Sequence, residues 1–137
     1  MNKVRGYIFS RPFMGERVPQ HVQNLVIRDY CDRNRLQFLL SATEYAMPGC
    51  HLILEQVLSE LVEISGMVAY SLFQLPEDSG WRKVIYEQTL NQNKVLYFAV
   101  EGLRVSTQQE CKRIETLWRI HQTLPHCAQI YAQTLKI

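Results

Sequence analysis

The chain has 137 residues, 47% hydrophobic and 20% charged, with a formal net charge of +2. This predicts one globular domain, residues 1–137, that is large enough to bury a core. No basic run favours nucleic-acid binding, no apolar run approaches the roughly 18 residues of a membrane span, and the N-terminus lacks a signal-peptide pattern. The expected location is therefore cytoplasmic.

Strand-like and helix-like segments alternate along the first half of the chain. Residues 4–9 form a β-branched and aromatic run, which predicts a buried strand. Pro19 opens a helix, at a position where its missing N–H costs nothing. Residues 36–40 predict a second strand, and residues 50–64 predict a helix whose leucines and valine share one stripe.

The second half continues the same alternation. Residues 67–73 predict a third strand, and Pro76 begins a third, more polar helix. A fourth strand is expected over residues 95–100. A long helix over residues 107–124 follows, and we expect Pro125 to break it and a shorter helical tail to complete the chain.

This order of elements is typical of an α/β fold. Strands alternating with helices predict right-handed βαβ units, and therefore a parallel four-stranded sheet with helices on both faces. The expected strand order is 2-1-3-4, as in flavodoxin-like folds. Residues 1–104 would form the sheet core and residues 105–137 a C-terminal helical extension.

The cysteines do not indicate a metal site. Cys31, Cys50, Cys111 and Cys127 lie far apart, with no CxxC pair, and we expect them to be reduced. The sequence also lacks a phosphate loop, a dinucleotide glycine pattern, a metalloprotease helix and a GxSxG elbow. It therefore identifies no cofactor and predicts no metal.

Polar side chains follow each predicted strand. Ligands of open α/β sheets bind at the carboxyl ends of the strands, so these side chains are the candidate site residues. They are Ser10, Arg11, Arg17 and Gln20 after the first strand, Glu44 and Tyr45 after the second, Ser71 and Gln74 after the third, and Glu101 after the fourth.

Each candidate has a chemical role and a structural alternative. Arg11 and Arg17 would bind an anionic group near the helix that Pro19 opens. Glu44 would act as a general acid or base, and Ser10 or Tyr45 would bind or activate a hydroxyl. Gln20, Ser71, Gln74 and Glu101 would bind substrate. Alternatively, the serines cap turns, the arginines are solvated, and Glu101 with Gly102 forms a turn.

The C-terminal helix carries an apolar stripe with two interpretations. Its members are Ile114, Leu117, Trp118, His121 and Leu124. The stripe packs on the chain's own sheet, or else Leu117, Trp118 and His121 form a homodimer interface, where tryptophan is favoured. Ile130, Tyr131 and Leu135, beyond Pro125, would then clasp the partner subunit.

The first hundred residues resemble the catalytic domain of serine recombinases, the resolvases and invertases. The matching features are Tyr7, Ser10, Gln23, Tyr30, Glu44 and the segment VAYSL. The family places an arginine two residues before its serine, where this chain has Ile8. The segment FQLPED also lacks the arginines that follow the family's third strand. The resemblance implies the fold, and the missing arginines argue against DNA strand exchange.

A second resemblance spans nearly the whole chain. RGYIFSRPF, GERVPQHVQNLVIRDYC, LLSATEYAMP, LEQVL, AYSLFQLPED and FAVEGL are similar to the sporadic carbohydrate cluster family. That family implies a role in bacterial surface polysaccharide or lipopolysaccharide synthesis, and it leaves the reaction undefined.

Three hypotheses about function follow. The first is an enzyme that acts on a sugar or nucleotide-sugar precursor of a surface carbohydrate. The second is a non-catalytic dimeric module that binds a biosynthetic enzyme. The third is a degenerate serine-recombinase-like domain. The geometry of the candidate site residues distinguishes among them.

Overall fold

A five-stranded sheet forms the centre of this computed structural model, which describes residues 2–135, and the side chains of residues 2–124. The strands are β1 (Asn2–Phe9), β2 (Leu36–Glu44), β3 (Gly66–Ala69), β4 (Val95–Phe98) and β5 (Leu103–Val105). Their order is β2-β1-β3-β4-β5; the first four are parallel, and β5 is antiparallel to β4. The predicted α/β class and the order 2-1-3-4 are confirmed.

Four helices cover the two faces of the sheet, as predicted. They are α1 (Gln20–Arg33), α2 (Leu52–Ser59), α3 (Ser79–Asn91) and α4 (Gln108–Leu135). α1 packs on one face through Ile27, Tyr30 and Cys31, against Val4 and Ile8 of β1. The other three helices share a larger core on the opposite face, to which α2 contributes Leu54, Val57 and Leu58, α3 Ile85 and Tyr86, and α4 Cys111, Ile114 and Trp118.

The second strand is longer than the sequence predicts. Pairing between β1 and β2 continues to Phe9 and Glu44, with a bulge between Arg5 and Gly6. β2 is an edge strand, so only part of it is buried, and its polar end SATE has no apolar run to mark it as a strand. Glu44 is therefore the last residue of a strand rather than a loop residue.

The third strand and the third helix are shorter than predicted. β3 ends at Ala69, because Ser71 caps a single 3-10 turn over Leu72–Gln74. α3 begins at Ser79, after Asp78, whose Oδ2 accepts a hydrogen bond from the Trp81 N–H at 3.1 Å. An Asp cap thus sets the start of the helix, instead of the proline two residues earlier.

The fifth strand was not predicted. β4 ends at Phe98, and a turn through Glu101 and Gly102 leads into β5. Gly102 has a φ of +66° and donates from its N–H to the Phe98 carbonyl at 2.9 Å. Glu101 and Gly102 do form the turn that the structural alternative proposes. The three residues of β5 are too few to show alternation in the sequence.

The last helix does not end at Pro125, because α4 extends from Gln108 to Leu135. Cys127, Ile130, Tyr131 and Leu135 lie outside the residues whose side chains are described, so the predicted clasp on a partner subunit stays a prediction. None of the helices within residues 2–135 combines the length and apolarity that a bilayer crossing requires.

The stripe on α4 packs on the chain's own core. Trp118 is 3% exposed; its ring lies 5.1 Å from that of Phe73, and the Arg82 guanidinium lies 4.3 Å from its centroid. Leu117 packs against the same core, and the His121 ring lies 4.6 Å from Phe73. Trp118 therefore cannot be the centre of the predicted homodimer interface, because it is buried within the chain, whereas Leu124 at the end of the stripe is 58% exposed. The homodimer itself stays a prediction.

We expect the contact between β3 and β4 to require glycine at position 66. A Cβ on Gly66 would collide with the Val95 backbone carbonyl, which cannot move without breaking the sheet. Gly66→Ala should lower the free energy of unfolding in urea by about 1–3 kcal/mol. The control is Gly80→Ala in the first turn of α3, where a Cβ meets only the Asp78 carboxylate at 3.6 Å. Gly80→Ala should leave the free energy of unfolding unchanged or raise it by up to about 1 kcal/mol. A loss as large as that of Gly66→Ala would contradict the steric explanation.

Candidate functional site

Glu44 lies at the rim of the sheet, the edge where the parallel strands β1 to β4 have their carboxyl ends. Its side chain is 1% exposed. Oε1 accepts hydrogen bonds from the Tyr7 hydroxyl at 2.7 Å and from the Leu54 N–H at 3.0 Å. Oε2 accepts from the N–H groups of Ile53 at 3.1 Å and Tyr45 at 3.0 Å. A carboxylate at the amino end of α2 is also favoured by the helix dipole.

The environment of Glu44 acts in turn on Tyr7. Burial, followed by the hydrogen bond to the Glu44 carboxylate, raises the pKa of Tyr7 far above its ordinary value of 10.0. Tyr7 therefore stays a hydrogen-bond donor across the physiological pH range. The pair fixes the middle of β1 to the end of β2, across the larger core.

Arg11 connects the loop after β1 to the loop after β2. It is 8% exposed, and its Nη1 donates to the carbonyls of Tyr45 at 2.8 Å, Met47 at 3.2 Å and Cys50 at 2.8 Å. Its guanidinium carbon lies 4.2 Å from the centroid of the Phe9 ring. One nitrogen of Arg11 therefore holds the whole β2–α2 loop in place.

Ser10 also reaches the end of β2. Its half-buried Oγ donates to the backbone carbonyl of Glu44 at 2.8 Å. Ser10 and Glu44 thus lie close together, as the predicted order of their strands requires. However, they meet through the Glu44 backbone, while the carboxylate is bound to other donors. The structure thus shows no hydrogen bond by which Glu44 would activate the Ser10 hydroxyl.

Gln74 belongs to a second, fully buried polar network, together with Gln23. Gln23 pairs with the Phe9 backbone, because its Oε1 accepts from the N–H at 3.0 Å and its Nε2 donates to the carbonyl at 2.8 Å. Gln74 Nε2 donates to the same Oε1 at 2.9 Å. Gln74 Oε1 accepts from the Ser71 N–H at 3.4 Å. The two glutamines thereby join α1 to the exits of β1 and β3.

Ser71 and Glu101 lie together, as their strand positions predict. Ser71 Oγ donates to Glu101 Oε2 at 2.8 Å, and the Leu72 N–H donates to Glu101 Oε1 at 2.9 Å. Ser71 is 2% exposed, and its Oγ also caps the 3-10 turn. The remaining candidates are exposed at the same rim: Arg17 and Tyr45 on loops, and Gln20 as the first residue of α1.

The loop after β1 contains a small hairpin that presents Phe13. The N–H and carbonyl groups of Phe13 and Glu16 pair with each other at 2.9 and 3.1 Å. Met14 and Gly15 between them have φ values of 54° and 76°, the pattern of a tight hairpin turn. Phe13 packs edge-on against Phe9, with ring centroids 5.6 Å apart. This explains why the connection is longer than a βα unit requires.

An aromatic cleft of about 670 Å3 opens beside these networks. Its aromatic lining consists of Phe9, Phe13, His51, Phe73, Trp81, Trp118 and His121. Among the predicted site residues, only Arg11 lines it, and the loop residues Glu77 and Asp78 supply carboxylates. We call this cavity the aromatic cleft. The strand and helix pattern of the sequence does not predict the aromatic cleft. The signal that could have indicated it is Asp78, which caps α3 and thereby places Trp81 at this edge of the sheet.

His51 is a buried histidine in the wall of the aromatic cleft. It is 6% exposed and packs edge-on against Trp81, with centroids 5.4 Å apart. Its Nδ1 lies 3.3 Å from the Gly49 carbonyl, and its Nε2 lies 3.2 Å from the Gln74 carbonyl. A neutral imidazole can donate to only one of them. Burial nevertheless lowers the pKa of His51 below 6.5, against the opposing effect of these carbonyls.

Within residues 2–124, no group of histidine, cysteine, aspartate and glutamate side chains could hold a metal ion. At the rim, Cys50 Sγ lies 3.9 Å from Glu44 Oε2. Cys50 is half-buried, while Cys31 and Cys111 are buried and free. The site is therefore built from hydrogen bonds and aromatic contacts.

Two solved structures share this fold over nearly the whole chain. A resolvase family site-specific recombinase from Streptococcus pneumoniae superposes with a TM-score of 0.62 at 9% identity, over 97% of each chain. The N-terminal catalytic domain of TP901-1 integrase superposes with a TM-score of 0.54 at 13% identity, over 90% of this chain and 98% of that domain. No protein-family model and no curated protein matches the chain.

These similarities confirm one of the two resemblances at the level of fold. The chain has a resolvase-like α/β fold, including its C-terminal helix. At such low sequence identity, the likeness says nothing about the reaction. The resemblance to the sporadic carbohydrate cluster family receives no support from these comparisons and stays a prediction.

Removing the Glu44 side chain should destabilise the protein. Glu44→Ala leaves the buried N–H groups at the start of α2 without an acceptor, so we expect a loss of about 3 kcal/mol in urea unfolding. Gln56→Ala, on the exposed face of the same helix, should change it by less than about 0.5 kcal/mol. A Glu44→Ala protein as stable as the Gln56→Ala control would contradict this role.

The lowered pKa of His51 predicts a stability that depends on pH. Below pH 6.5 the unfolded chain takes up a proton at this position before the folded chain does, so acidification favours unfolding. Arg11 lowers the pKa of His51 further, and Glu44 raises it slightly. We expect the free energy of unfolding to fall as pH drops from 6.5 to the folded-state pKa.

His51→Gln should remove this part of the pH dependence, and the difference between the two proteins isolates it from other titrating groups. An NMR titration of the His51 ring gives the folded-state pKa directly. A folded-state pKa above 6.5 would reverse the sign and show that the two carbonyl contacts outweigh burial.

Proposed function

We propose that this protein binds a sugar or nucleotide sugar in the aromatic cleft and takes part in the biosynthesis of a surface carbohydrate. The observation that carries the proposal is the cleft itself, with about 670 Å3 of space beside the rim. Its volume is within the range of small-molecule sites, and its position is where open α/β sheets bind ligands. The predicted resemblance to the sporadic carbohydrate cluster family supplies the pathway.

The chemistry of the lining suits a pyranose ring. The C–H groups of a sugar face carry partial positive charge and pack on the negative faces of aromatic rings, such as those of Phe13 and Trp81. The carboxylates of Glu77 and Asp78 can accept hydrogen bonds from the hydroxyls of the sugar. The positive charge of Arg11 at the edge of the cleft favours a ligand that also carries an anionic group.

The same geometry favours binding over catalysis. The Glu44 carboxylate is sealed behind four donors, and the Ser10 hydroxyl is bound to a carbonyl. A general base must reach the proton that it removes, and neither side chain does so here. Tyr45 is exposed and lies next to a residue of the cleft lining, so it remains available to contact a bound ligand.

A degenerate recombinase-like domain is the second candidate. The observation that favours it is the resolvase-like fold, with Ser10 directly after β1. Two positions oppose it. Ile8 is buried where the resemblance requires an arginine, and the 3-10 turn Leu72–Gln74 carries none. The charge needed to stabilise a phosphodiester under attack is therefore missing from these two places.

Trp81→Ala should weaken ligand binding. We expect a panel of monosaccharides and nucleotide sugars, followed by NMR, to shift the signals of His51 and the Trp81 indole. Loss of one stacking ring should weaken binding about tenfold, which corresponds to roughly 1.4 kcal/mol. Leu25→Ala, at an exposed position on α1 across the sheet, should bind as the unmodified protein does.

The panel also includes supercoiled DNA. Saturable shifts of the His51 signal that need about ten times more ligand in Trp81→Ala support the proposal. Equal affinity in the unmodified protein and Trp81→Ala, or no binding across the sugars, would contradict it. Nicking of the DNA that Ser10→Ala abolishes would establish the second candidate instead.

A further inference from the structure

A second cavity lies apart from the aromatic cleft and shares no lining residue with it. It has a volume of about 460 Å3 and lies between the end of α1, the β4–β5 hairpin and the first turns of α4. Its polar lining includes Tyr30, Tyr97, Arg104, Glu110 and Arg113. We call this cavity the tyrosine groove. Neither the resolvase-like fold nor the sugar-binding proposal assigns it a role.

Tyr30 and Tyr97 form the floor of the tyrosine groove. Their side chains are 6% and 7% exposed, and their ring centroids lie 6.0 Å apart. Neither hydroxyl has a hydrogen-bond partner among the described residues. Both hydroxyls are accessible to solvent, unlike the indole N–H of Trp118, which is buried without a hydrogen-bond partner. A buried phenol with an unused hydroxyl facing solvent is a donor placed for a ligand.

Two arginines supply positive charge at the same place. The Arg104 guanidinium is close enough to oppose the effect of burial, which raises the pKa of both tyrosines. Its contact with Glu110 is long, at 3.6 Å, and largely exposed, so this pair is weak. Arg113 is exposed and forms no ion pair within residues 2–124.

Glu110 offsets only part of this charge. Its Oε1 accepts from the N–H of Ser106 at 2.8 Å, from the Oγ of Ser106 at 2.6 Å and from the Thr107 hydroxyl at 3.4 Å. Burial raises the pKa of Glu110, but the Ser106 hydrogen bonds and Arg104 together lower it below its ordinary value. The carboxylate is therefore anchored to the turn before α4, and two arginines against one carboxylate leave the groove with a net positive charge.

We infer that the tyrosine groove binds the phosphate monoester group of a small molecule, such as a sugar phosphate. Two phenol donors and two guanidinium groups offer more donors than the two oxygens of a carboxylate require, and they match the three terminal oxygens of a phosphate. The volume of about 460 Å3 leaves room for one sugar ring beside the phosphate. The groove and the aromatic cleft share no lining residue, so a substitution in one leaves the lining of the other unchanged.

The test uses the full chain and two probes, inorganic phosphate and glucose 1-phosphate, followed by NMR titration. We expect saturable shifts around Tyr97 and Arg104, with glucose 1-phosphate binding more tightly than inorganic phosphate. Tyr97→Phe keeps the buried ring and removes only the hydroxyl, so it should fold normally and weaken binding about fivefold. Arg104→Gln should weaken it about tenfold.

Two control variants make the result specific. Arg28→Gln removes an exposed arginine of α1 that lies outside the groove, and it should leave phosphate binding unchanged. Trp81→Ala in the aromatic cleft should also leave it unchanged, so failure here is distinct from failure of the sugar-binding proposal. Absence of saturation, equal weakening in Arg28→Gln, or shifts confined to the aromatic cleft would overturn the inference. Binding of duplex DNA alone, with a steep salt dependence, would also overturn it.

Discussion

One buried carboxylate, that of Glu44, determines how the loops at the rim are arranged. A carboxyl group with 1% exposure is tolerated only when its oxygens have hydrogen-bond partners, and Glu44 accepts from four N–H and O–H donors. These donors come from β1, from the residue after β2 and from the start of α2, so the position of each element depends on the others. Arg11 adds a second tie by binding three carbonyls of the intervening loop. The wall of the aromatic cleft that this loop forms is consequently fixed before any ligand arrives.

The rim therefore has an inner polar layer and an outer aromatic one. Glu44, Gln23, Gln74 and Ser71 are all buried, and they bond to backbone groups or to one another. Their polar atoms are already paired, and breaking such pairs to receive a ligand would cost the desolvation of each unpaired group. The aromatic side chains of the outer layer can contact a ligand without breaking a hydrogen bond, because their ring faces need no hydrogen-bond partner. This division explains why the cleft offers rings to a ligand while the predicted site residues support it from behind.

The sequence was sufficient to predict which strands are neighbours, and hence which polar residues meet. Ser10 reaches Glu44 and Ser71 reaches Glu101, because both pairs follow adjacent strands. Sequence periodicity could not reveal which atoms bond, since that depends on the paths of loops after the strands end. The aromatic cleft was not predicted for the same reason: its rings come from β1, from three separate connections and from two helices. β5 was not predicted because three residues are too few to show the alternation of apolar and polar side chains that is typical of a strand.

The C-terminal helix is as much a part of the site as the rim. Arg82 of α3 is 1% exposed, and Glu115 of α4 accepts two hydrogen bonds from it, at 2.8 and 3.0 Å. The hydroxyl of Tyr86 donates to the same carboxylate at 2.6 Å. Without α4, the buried guanidinium would lose its counter-charge and the ring of Trp118 that stacks on it, which is costly for a buried cation. Trp118 also lines the aromatic cleft. The packing of α4 on the core therefore supplies both the counter-charge of Arg82 in α3 and part of the cleft lining. Ile114 and Trp118 of the predicted apolar stripe thus form an interface within the chain, between α4 and the core.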